Sequence, residues 1–190
     1  SSLRTRLSFY LAIKQLGGGT LTLRSNELHL GQGGETLEDT AKILSTYGDG
    51  FMLRTDSDEK VKKFKRNLTI PIINGLSPSS HPTQVLSDIF TVEEVKNKPI
   101  SKLNITWIGD SNNVLNSLIA ASVKLNFKLN IGCPKNYYPN EFILNWVKKN
   151  NKKIHIYHDA KKAVINADVI FTDKVISLND KVNKKKKLAQ

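Results

Sequence analysis

The chain has 190 residues, of which 39% are hydrophobic and 24% are charged, and its formal net charge is +12 at pH 7. This length allows one large domain or two small ones, and the apolar fraction excludes a chain that is disordered throughout. No run of about 18 apolar residues occurs, so we expect no membrane span. The single cysteine, Cys133, excludes an intrachain disulfide and favours a reducing compartment, which predicts a cytoplasmic protein.

Helical and extended segments alternate along the whole chain. In chain order the pattern predicts helix 2–16, strand 20–23, helix 36–44, strand 51–53, helix 58–66, strand 69–73, helix 81–95, strand 103–108, helix 113–125, strand 129–132, helix 140–150, strand 153–157, helix 159–166 and strand 169–171. Ser2 and Thr36 are the predicted N-caps of the first two helices. Strands that alternate with helices of this length predict parallel sheets covered on both faces.

The predicted fold class is α/β, with two doubly wound domains that each contain a parallel β-sheet flanked by helices. The polar segment 96–99, which ends in proline, is the predicted hinge, and it divides the chain into domains 1–97 and 98–190. The first predicted element is a helix with no strand before it. Because a phosphate-binding turn needs a strand to aim its helix, we expect the first domain to be incomplete at its N-terminus and the chain to be a fragment or a truncated gene product.

The positive charge favours anionic partners, which include nucleic acids and small phosphorylated molecules. Its lysines are scattered over predicted helices and tails, with one run at Lys184–Lys187. No aromatic residues interleave them, as a groove for single-stranded nucleic acid would require. We therefore expect a solvated basic surface and do not expect nucleic acid as a partner, although a nucleic-acid-binding module remains the alternative from another functional class.

The segment Ser2–Arg6 combines a helix N-cap with a second hydroxyl and two arginines. The positive end of a helix dipole and planar guanidinium donors both suit phosphate oxygens. The segment therefore predicts an oxyanion site. An ordinary capped helix with two exposed arginines explains these five residues equally well.

Two further groups follow predicted strands at the edge where open α/β sheets bind ligands. His81 and Gln84 lie one helical turn apart at the start of a helix, and they can bond to a carbonyl oxygen and to an amide. Arg54 follows the strand 51–53 and adds a cation. A single His or Arg more often has a structural role. Three polar or basic side chains at one sheet edge, however, favour a binding site.

Together these features resemble the aspartate and ornithine carbamoyltransferase family. Ser2–Arg6 is similar to the Ser-Thr-Arg-Thr-Arg phosphate motif of the family, and His81–Gln84 is similar to its His-Pro-x-Gln motif. The blocks Asp39–Ala41 and Ile72–Leu76 also fit in sequence and spacing. The resemblance covers nearly the whole chain.

The resemblance implies a site for carbamoyl phosphate formed by Ser2, Leu3, Arg4, Thr5, Arg54, His81 and Gln84. Arg4, Arg54 and His81 would be its catalytic residues, with the arginines (Arg6 included) stabilising charge on the phosphate. His29 resembles a loop residue that reaches the site of a neighbouring subunit in the trimer of this family. A homotrimer is therefore expected of the complete protein.

The second half resembles the ornithine branch of the family. There, Asn113 corresponds to an asparagine that binds the amino acid, Asp173 to the aspartate that pairs with its α-ammonium group, and Ser177 and Leu178 to the following loop. The implied activity transfers the carbamoyl group to the δ-amine of L-ornithine, giving L-citrulline and phosphate, a step of arginine biosynthesis. Neither a metal nor an organic cofactor is implied.

Several positions depart from the family pattern. Leu3 stands where the family has Thr, and Val175, Leu178 and Asn179 replace Trp, Met and Gly. The His-Cys-Leu-Pro segment of the family is absent, and Cys133 lacks that motif around it. Two alternatives therefore stay open: a catalytically impaired paralogue or fragment, and a carbamoyltransferase with another acceptor, such as acetylornithine or aspartate.

Overall fold

The computed structural model describes residues 2–24, 34–150 and 153–173. Contacts between Cα atoms group the chain into two compact units, Ser1–Pro78 and Ser79–Gln190. No helix within the described ranges is both long and apolar enough to cross a membrane.

The described residues of the first unit form a two-stranded parallel sheet and three helices. Its elements are α1 (Leu3–Gln15), α2 (Leu37–Tyr47), β1 (Phe51–Arg54), α3 (Asp58–Asn67) and β2 (Ile72–Leu76). Strand β1 pairs with β2 in parallel, so both strands end at the same edge. The ring of Phe64 on α3 is buried and lies 5.2 Å from the ring of Phe51, which fixes α3 against the sheet.

The second unit is a four-stranded parallel sheet with helices on both faces. Its elements are α4 (Pro82–Lys96), a 3₁₀ turn (Ile100–Lys102), β3 (Asn104–Ile108), α5 (Asn113–Leu125), β4 (Lys128–Gly132), a 3₁₀ turn (Lys135–Tyr137), α6 (Glu141–Asn150), β5 (Ile154–Tyr157), α7 (Ala160–Ala163) and β6 (Val169–Phe171). The strand order is β5-β4-β3-β6, and all three pairings are parallel. The order therefore reverses between β3 and β6.

Alternate residues of β3 show how both faces of this sheet are covered. Trp107 is 1% exposed and belongs to one buried cluster with Leu118 of α5. The neighbouring Thr106 points the other way, and its Oγ1 donates a hydrogen bond to the carbonyl oxygen of Ala163 on α7 at 3.1 Å. Because successive side chains of a strand point to opposite faces, α5 and α7 cover opposite sides. The predicted α/β class with parallel sheets flanked by helices is confirmed.

The predicted N-caps are also confirmed. The Ser2 Oγ accepts from the Thr5 amide at 3.5 Å, and the Thr36 Oγ1 accepts from the Asp39 amide at 3.1 Å. Each cap satisfies an amide that has no partner inside its helix.

Three predicted elements differ from the structure. The predicted strand 20–23 is wrong, because residues 20–24 have no regular structure and Leu21 is 83% exposed, so no sheet buries the alternating face. The strand predicted at 69–73 is Ile72–Leu76, which begins after a proline that has no amide hydrogen to donate. The last helix is shorter than predicted and ends at Ala163.

The contacts of α4 place it in the second unit, since its Val85 and Ile89 belong to the same buried cluster as α5. The division between the two compact units therefore falls before α4, whereas the predicted domain boundary lies between residues 97 and 98. That boundary stays a prediction.

Candidate functional site

In the first unit, the N-terminus of α1 carries the predicted oxyanion segment. Its cap, Ser2, is half-buried, and Arg4 of the first turn is exposed. The first-turn amides of a helix have no acceptor within it, and the helix dipole makes this end positive. The local geometry therefore suits an anion.

Arg54 lies at the carboxyl end of β1, and its Nη1 donates a hydrogen bond to the Thr5 Oγ1 at 2.9 Å. The fold thus joins two predicted site residues that are 49 positions apart. Because the hydroxyl of Thr5 accepts this bond, its own hydrogen can still be donated to a ligand oxygen. Partial burial lowers the pKa of the Arg54 guanidinium from its ordinary value.

Leu3 and Arg6 lie elsewhere on α1. The Leu3 side chain is apolar and has no hydrogen-bond donor, so only the backbone amide of Leu3 can bind an anion at the helix start. The Arg6 Nε is buried and has no hydrogen-bond partner among the residues that the structure describes. Both residues line an open groove of about 520 Å³ whose lining consists of Leu3, Arg6, Leu7, Tyr10, Thr22 and Arg24.

In the second unit, His81 occupies the N-cap position of α4. Its backbone amide donates to the Ser117 Oγ on α5 at 2.8 Å, and that hydroxyl donates to the Asn113 carbonyl oxygen at 3.0 Å. The Ser117 side chain therefore connects the backbone of His81 with the backbone of Asn113, two residues that are predicted to bind different substrates. Ser117 was not predicted from the sequence, since it carries no motif of its own.

Gln84 is exposed on the first turn of α4. Its Nε2 donates to the Asp88 Oδ1 at 2.8 Å, an i to i+4 pair on the helix surface. This bond uses one N–H of the carboxamide, so the second N–H and the oxygen can still bond to a ligand.

The carboxyl ends of β3 and β6 form the point where the strand order reverses, which is where open α/β sheets bind ligands. After β3 the chain turns at Gly109, whose φ of +140° favours glycine. The indole Nε1 of buried Trp107 donates a hydrogen bond to the Asp110 carbonyl oxygen at 3.2 Å, which stabilises this turn. After β6 comes Asp173.

Asn112 connects the two chain segments at this point. Its Oδ1 accepts from the amides of Val114 and Leu115, both at 3.0 Å, and caps α5. Its Nδ2 donates to the Asp173 Oδ2 at 2.9 Å. The resemblance pointed to Asn113 and not to Asn112, although an asparagine directly before a helix is a typical cap and could have revealed Asn112.

Hydrogen bonds to the segment that follows β4 also stabilise this turn. The carbonyl oxygen of Tyr137 accepts from the Ser111 amide at 2.9 Å and from the Cys133 Sγ at 2.8 Å. Burial raises the pKa of the Cys133 thiol to about 11, so the thiol is protonated and acts as a donor. Cys133 is therefore a buried structural residue of this turn.

Three predicted site residues, His29, Ser177 and Leu178, lie outside the described residues, as do Val175 and Asn179. Of the others, Thr5 and Arg54 are in direct contact in the first unit. His81, Asn113 and Asp173 are linked through Ser117 and Asn112 in the second.

Comparison with known proteins bears on both units. Residues 1–94 match the family model described as aspartate/ornithine carbamoyltransferase, carbamoyl-P binding domain. Residues 101–190 match the model described as aspartate/ornithine carbamoyltransferase, Asp/Orn binding domain. The fold is that of an α/β protein whose parallel sheets are flanked by helices and whose strand ends carry polar groups. The chain belongs to the aspartate/ornithine carbamoyltransferase family.

Among curated relatives, the ornithine carbamoyltransferase of Agrobacterium fabrum is 41% identical over 94% of this chain and 58% of its own length. That of Methanosarcina mazei is 42% identical over 99% of this chain and 62% of its own length. The chain thus spans about three fifths of the length of these relatives.

Among solved structures, the ornithine carbamoyltransferase from Pyrococcus furiosus matches all of this chain and 61% of its own, with a TM-score of 0.89 and 37% identity. The anabolic enzyme from Campylobacter jejuni matches all of this chain and 63% of its own, with a TM-score of 0.86 and 36% identity.

Proposed function

We propose that the protein transfers the carbamoyl group of carbamoyl phosphate to the δ-amine of L-ornithine, giving L-citrulline and phosphate. Relatives at about 41% identity carry the name ornithine carbamoyltransferase. The observation that most supports a phosphate site is the hydrogen bond between Arg54 and Thr5, because it joins the helix-start motif to a cation from another strand. The reaction places the protein in arginine biosynthesis.

The phosphate group is assigned to Ser2, Arg4, Thr5, Arg54 and the backbone amide of Leu3. When the carbamoyl C–O bond breaks, negative charge grows on the departing phosphate. Guanidinium groups and helix amides stabilise that charge without reorganising. Catalysis then consists of positioning and electrostatics and calls for no cofactor.

The carbamoyl group is assigned to His81 and Gln84. The imidazole of His81 would donate to the carbonyl oxygen, which gains charge as the amine attacks. Gln84 would bond to the carbamoyl amide through its oxygen or the N–H that does not face Asp88. His29 from a neighbouring subunit would complete this site in a homotrimer.

The amino-acid acceptor is assigned to Asn113, Asp173, Ser177 and Leu178. The carboxylate of Asp173 would pair with the α-ammonium group, which leaves the δ-amine to react. That amine attacks in its neutral form, forms the new C–N bond and loses a proton as phosphate leaves. A cytoplasmic location is also proposed, since Cys133 has no second cysteine in the chain with which to pair.

The test is phosphate release by the purified chain with carbamoyl phosphate and ornithine, aspartate or acetylornithine as acceptor. We expect turnover with ornithine. Activity with aspartate or acetylornithine and none with ornithine would overturn the assignment. If the chain binds carbamoyl phosphate in calorimetry but turns over no acceptor, the catalytically impaired alternative is favoured.

The contribution of Arg54 is tested by Arg54→Met. Loss of a guanidinium that contacts phosphate should lower kcat/KM about 100-fold, because charge-assisted hydrogen bonds contribute about 1.5–3 kcal/mol each. The matched control is Arg66→Met, which removes an exposed arginine from the last turn of α3. Equal activity of the two variants would contradict the role of Arg54.

A further inference from the structure

The carboxamide of Asn112 makes contacts at both of its ends. The oxygen caps α5 through the amides of Val114 and Leu115, and the nitrogen lies 2.9 Å from a carboxylate oxygen of Asp173. The two ends cannot be exchanged, because a flipped amide would place its NH₂ group against two amide donors and its oxygen against the carboxylate. The orientation of the donor toward Asp173 is therefore set by the helix cap.

The hydrogen bond from Asn112 bears directly on where the Asp173 carboxylate points. Asp173 lies two residues after β6, the three-residue strand that pairs with β3 at one end of the described sheet. Its side chain is exposed, and a charge-assisted hydrogen bond from a group anchored on a 13-residue helix narrows the rotamers that it adopts.

We infer that Asn112 is a positioning residue for Asp173, and that it aims this carboxylate at the α-ammonium group of the amino-acid substrate. This inference rests on the proposed function, which gives Asp173 that role. Asn112 would act through Asp173 and would not touch the substrate itself. The competing explanation is that Asn112 serves α5 only as an N-cap.

The two explanations predict different results for Asn112→Ser. Serine caps a helix about as well as asparagine, so the cap survives while the donor to Asp173 is lost. If Asn112 is only a cap, ornithine binding stays as in the unmodified chain. If it positions Asp173, ornithine binding weakens about tenfold, the loss expected for one hydrogen bond to a charged group, and KM for ornithine rises more than kcat falls.

A matched control is available at Asn140, whose Oδ1 accepts from the Ile143 amide at 3.0 Å at the start of α6. Asn140→Ser should change neither ornithine affinity nor KM. Affinity is measured by calorimetry with L-ornithine at saturating inorganic phosphate, which fills the phosphate site but supplies no carbamoyl group to transfer.

A double-mutant cycle with Asp173→Asn separates positioning from a general effect on the site. If Asn112 acts through Asp173, Asn112→Ser has no further effect on ornithine affinity in the Asp173→Asn background. Independent losses that multiply would overturn the inference, and so would an Asn112→Ser chain that binds ornithine with unchanged affinity.

Asn112→Asp reports on the contact without any ligand. Aspartate also caps helices well, but it places a second carboxylate against Asp173, so at pH 7 the Tm should fall about 3 °C below that of Asn112→Ser. Asn140→Asp should show no such fall relative to Asn140→Ser. If the unmodified chain binds no ornithine, the proposed function fails. The Tm difference then still decides whether Asn112 contacts Asp173, and its absence overturns the contact as well.

Discussion

Cys133 illustrates how single residues obtain their chemical properties from their surroundings. It is 1% exposed at the end of β4, and its Sγ donates to the Tyr137 carbonyl oxygen, which also holds the Ser111 amide of the turn after β3. Burial is the largest cause of its raised pKa, with a smaller contribution from Asp110. The thiol is therefore a structural donor and a poor nucleophile.

We expect the folded chain to react slowly with iodoacetamide at pH 8, because the pKa of Cys133 is about 11 and little thiolate is present. Denatured chain should react at the rate of a free thiol. The measurement is the alkylated mass fraction over time, with Cys133→Ala as the unreactive control. Equal rates in folded and denatured chain would contradict this account.

The raised pKa of Cys133 also predicts how the free energy of unfolding depends on pH. A folded-state pKa of about 11 against an ordinary value of 9.0 means that the folded chain binds the proton more tightly than the unfolded chain. The resulting stabilisation is fully present below pH 9 and is lost as the pH rises toward 11. Denaturant titrations at pH 8 and pH 10.5 should show a smaller loss of stability in Cys133→Ala than in the unmodified chain.

Among the elements of the second unit, close packing at the end of β4 determines how near α7 lies to the sheet. A Cβ at Gly132 of β4 would lie 2.6 Å from the Ile108 Cδ1 and 3.0 Å from the Ala163 Cβ. Glycine at this position lets α7 lie directly on the sheet, where the Ala163 carbonyl oxygen accepts from Thr106 and Asn130. These buried bonds require the close approach.

Gly132→Ala should therefore destabilise the fold by about 1–3 kcal/mol, the usual cost of overpacking. Chemical denaturation measures the change. Gly19→Ala is the control, since a Cβ there meets nothing within 4 Å in the described part of the chain. A Gly132→Ala chain as stable as the control would show that α7 can shift away at little cost.

At the scale of the whole molecule, the charge of +12 is dispersed and partly compensated locally. Lys60 lies 3.8 Å from Asp56, just before α3, and Lys62 lies 3.7 Å from Glu59 on α3, both as exposed pairs. Such pairs contribute little to stability, but each places a negative charge beside a lysine. A dispersed charge attracts small anions without forming a groove for nucleic acid.

We accordingly expect only weak binding to duplex DNA, lost by about 0.15 M salt, because few phosphates would be neutralised at once. Fluorescence anisotropy of a labelled duplex between 50 and 200 mM salt measures this. Tight binding that persists with a steep salt dependence would favour the nucleic-acid-binding alternative.

The alternation of helix and strand was predictable from local patterns, and most elements of the second unit begin and end within one or two residues of their predicted positions. Asn113–Leu125 and Val169–Phe171 agree with the predicted bounds at both ends. The failure at 20–23 has a physical cause, since alternation indicates a strand only where a neighbouring strand supplies hydrogen bonds and a core buries one face.

The family, the α/β class, the caps of the first two helices and the chemical types of the candidate residues were all readable from the sequence, because those depend on local pattern and motif. The contact of Arg54 with Thr5, the tie from His81 through Ser117 to Asn113, and the hold of Asn112 on Asp173 were decided only by the tertiary structure. Each joins residues that are far apart in the chain, or depends on the orientation of one amide. Strand order and helix packing set such contacts, and neither is contained in the spacing of a motif.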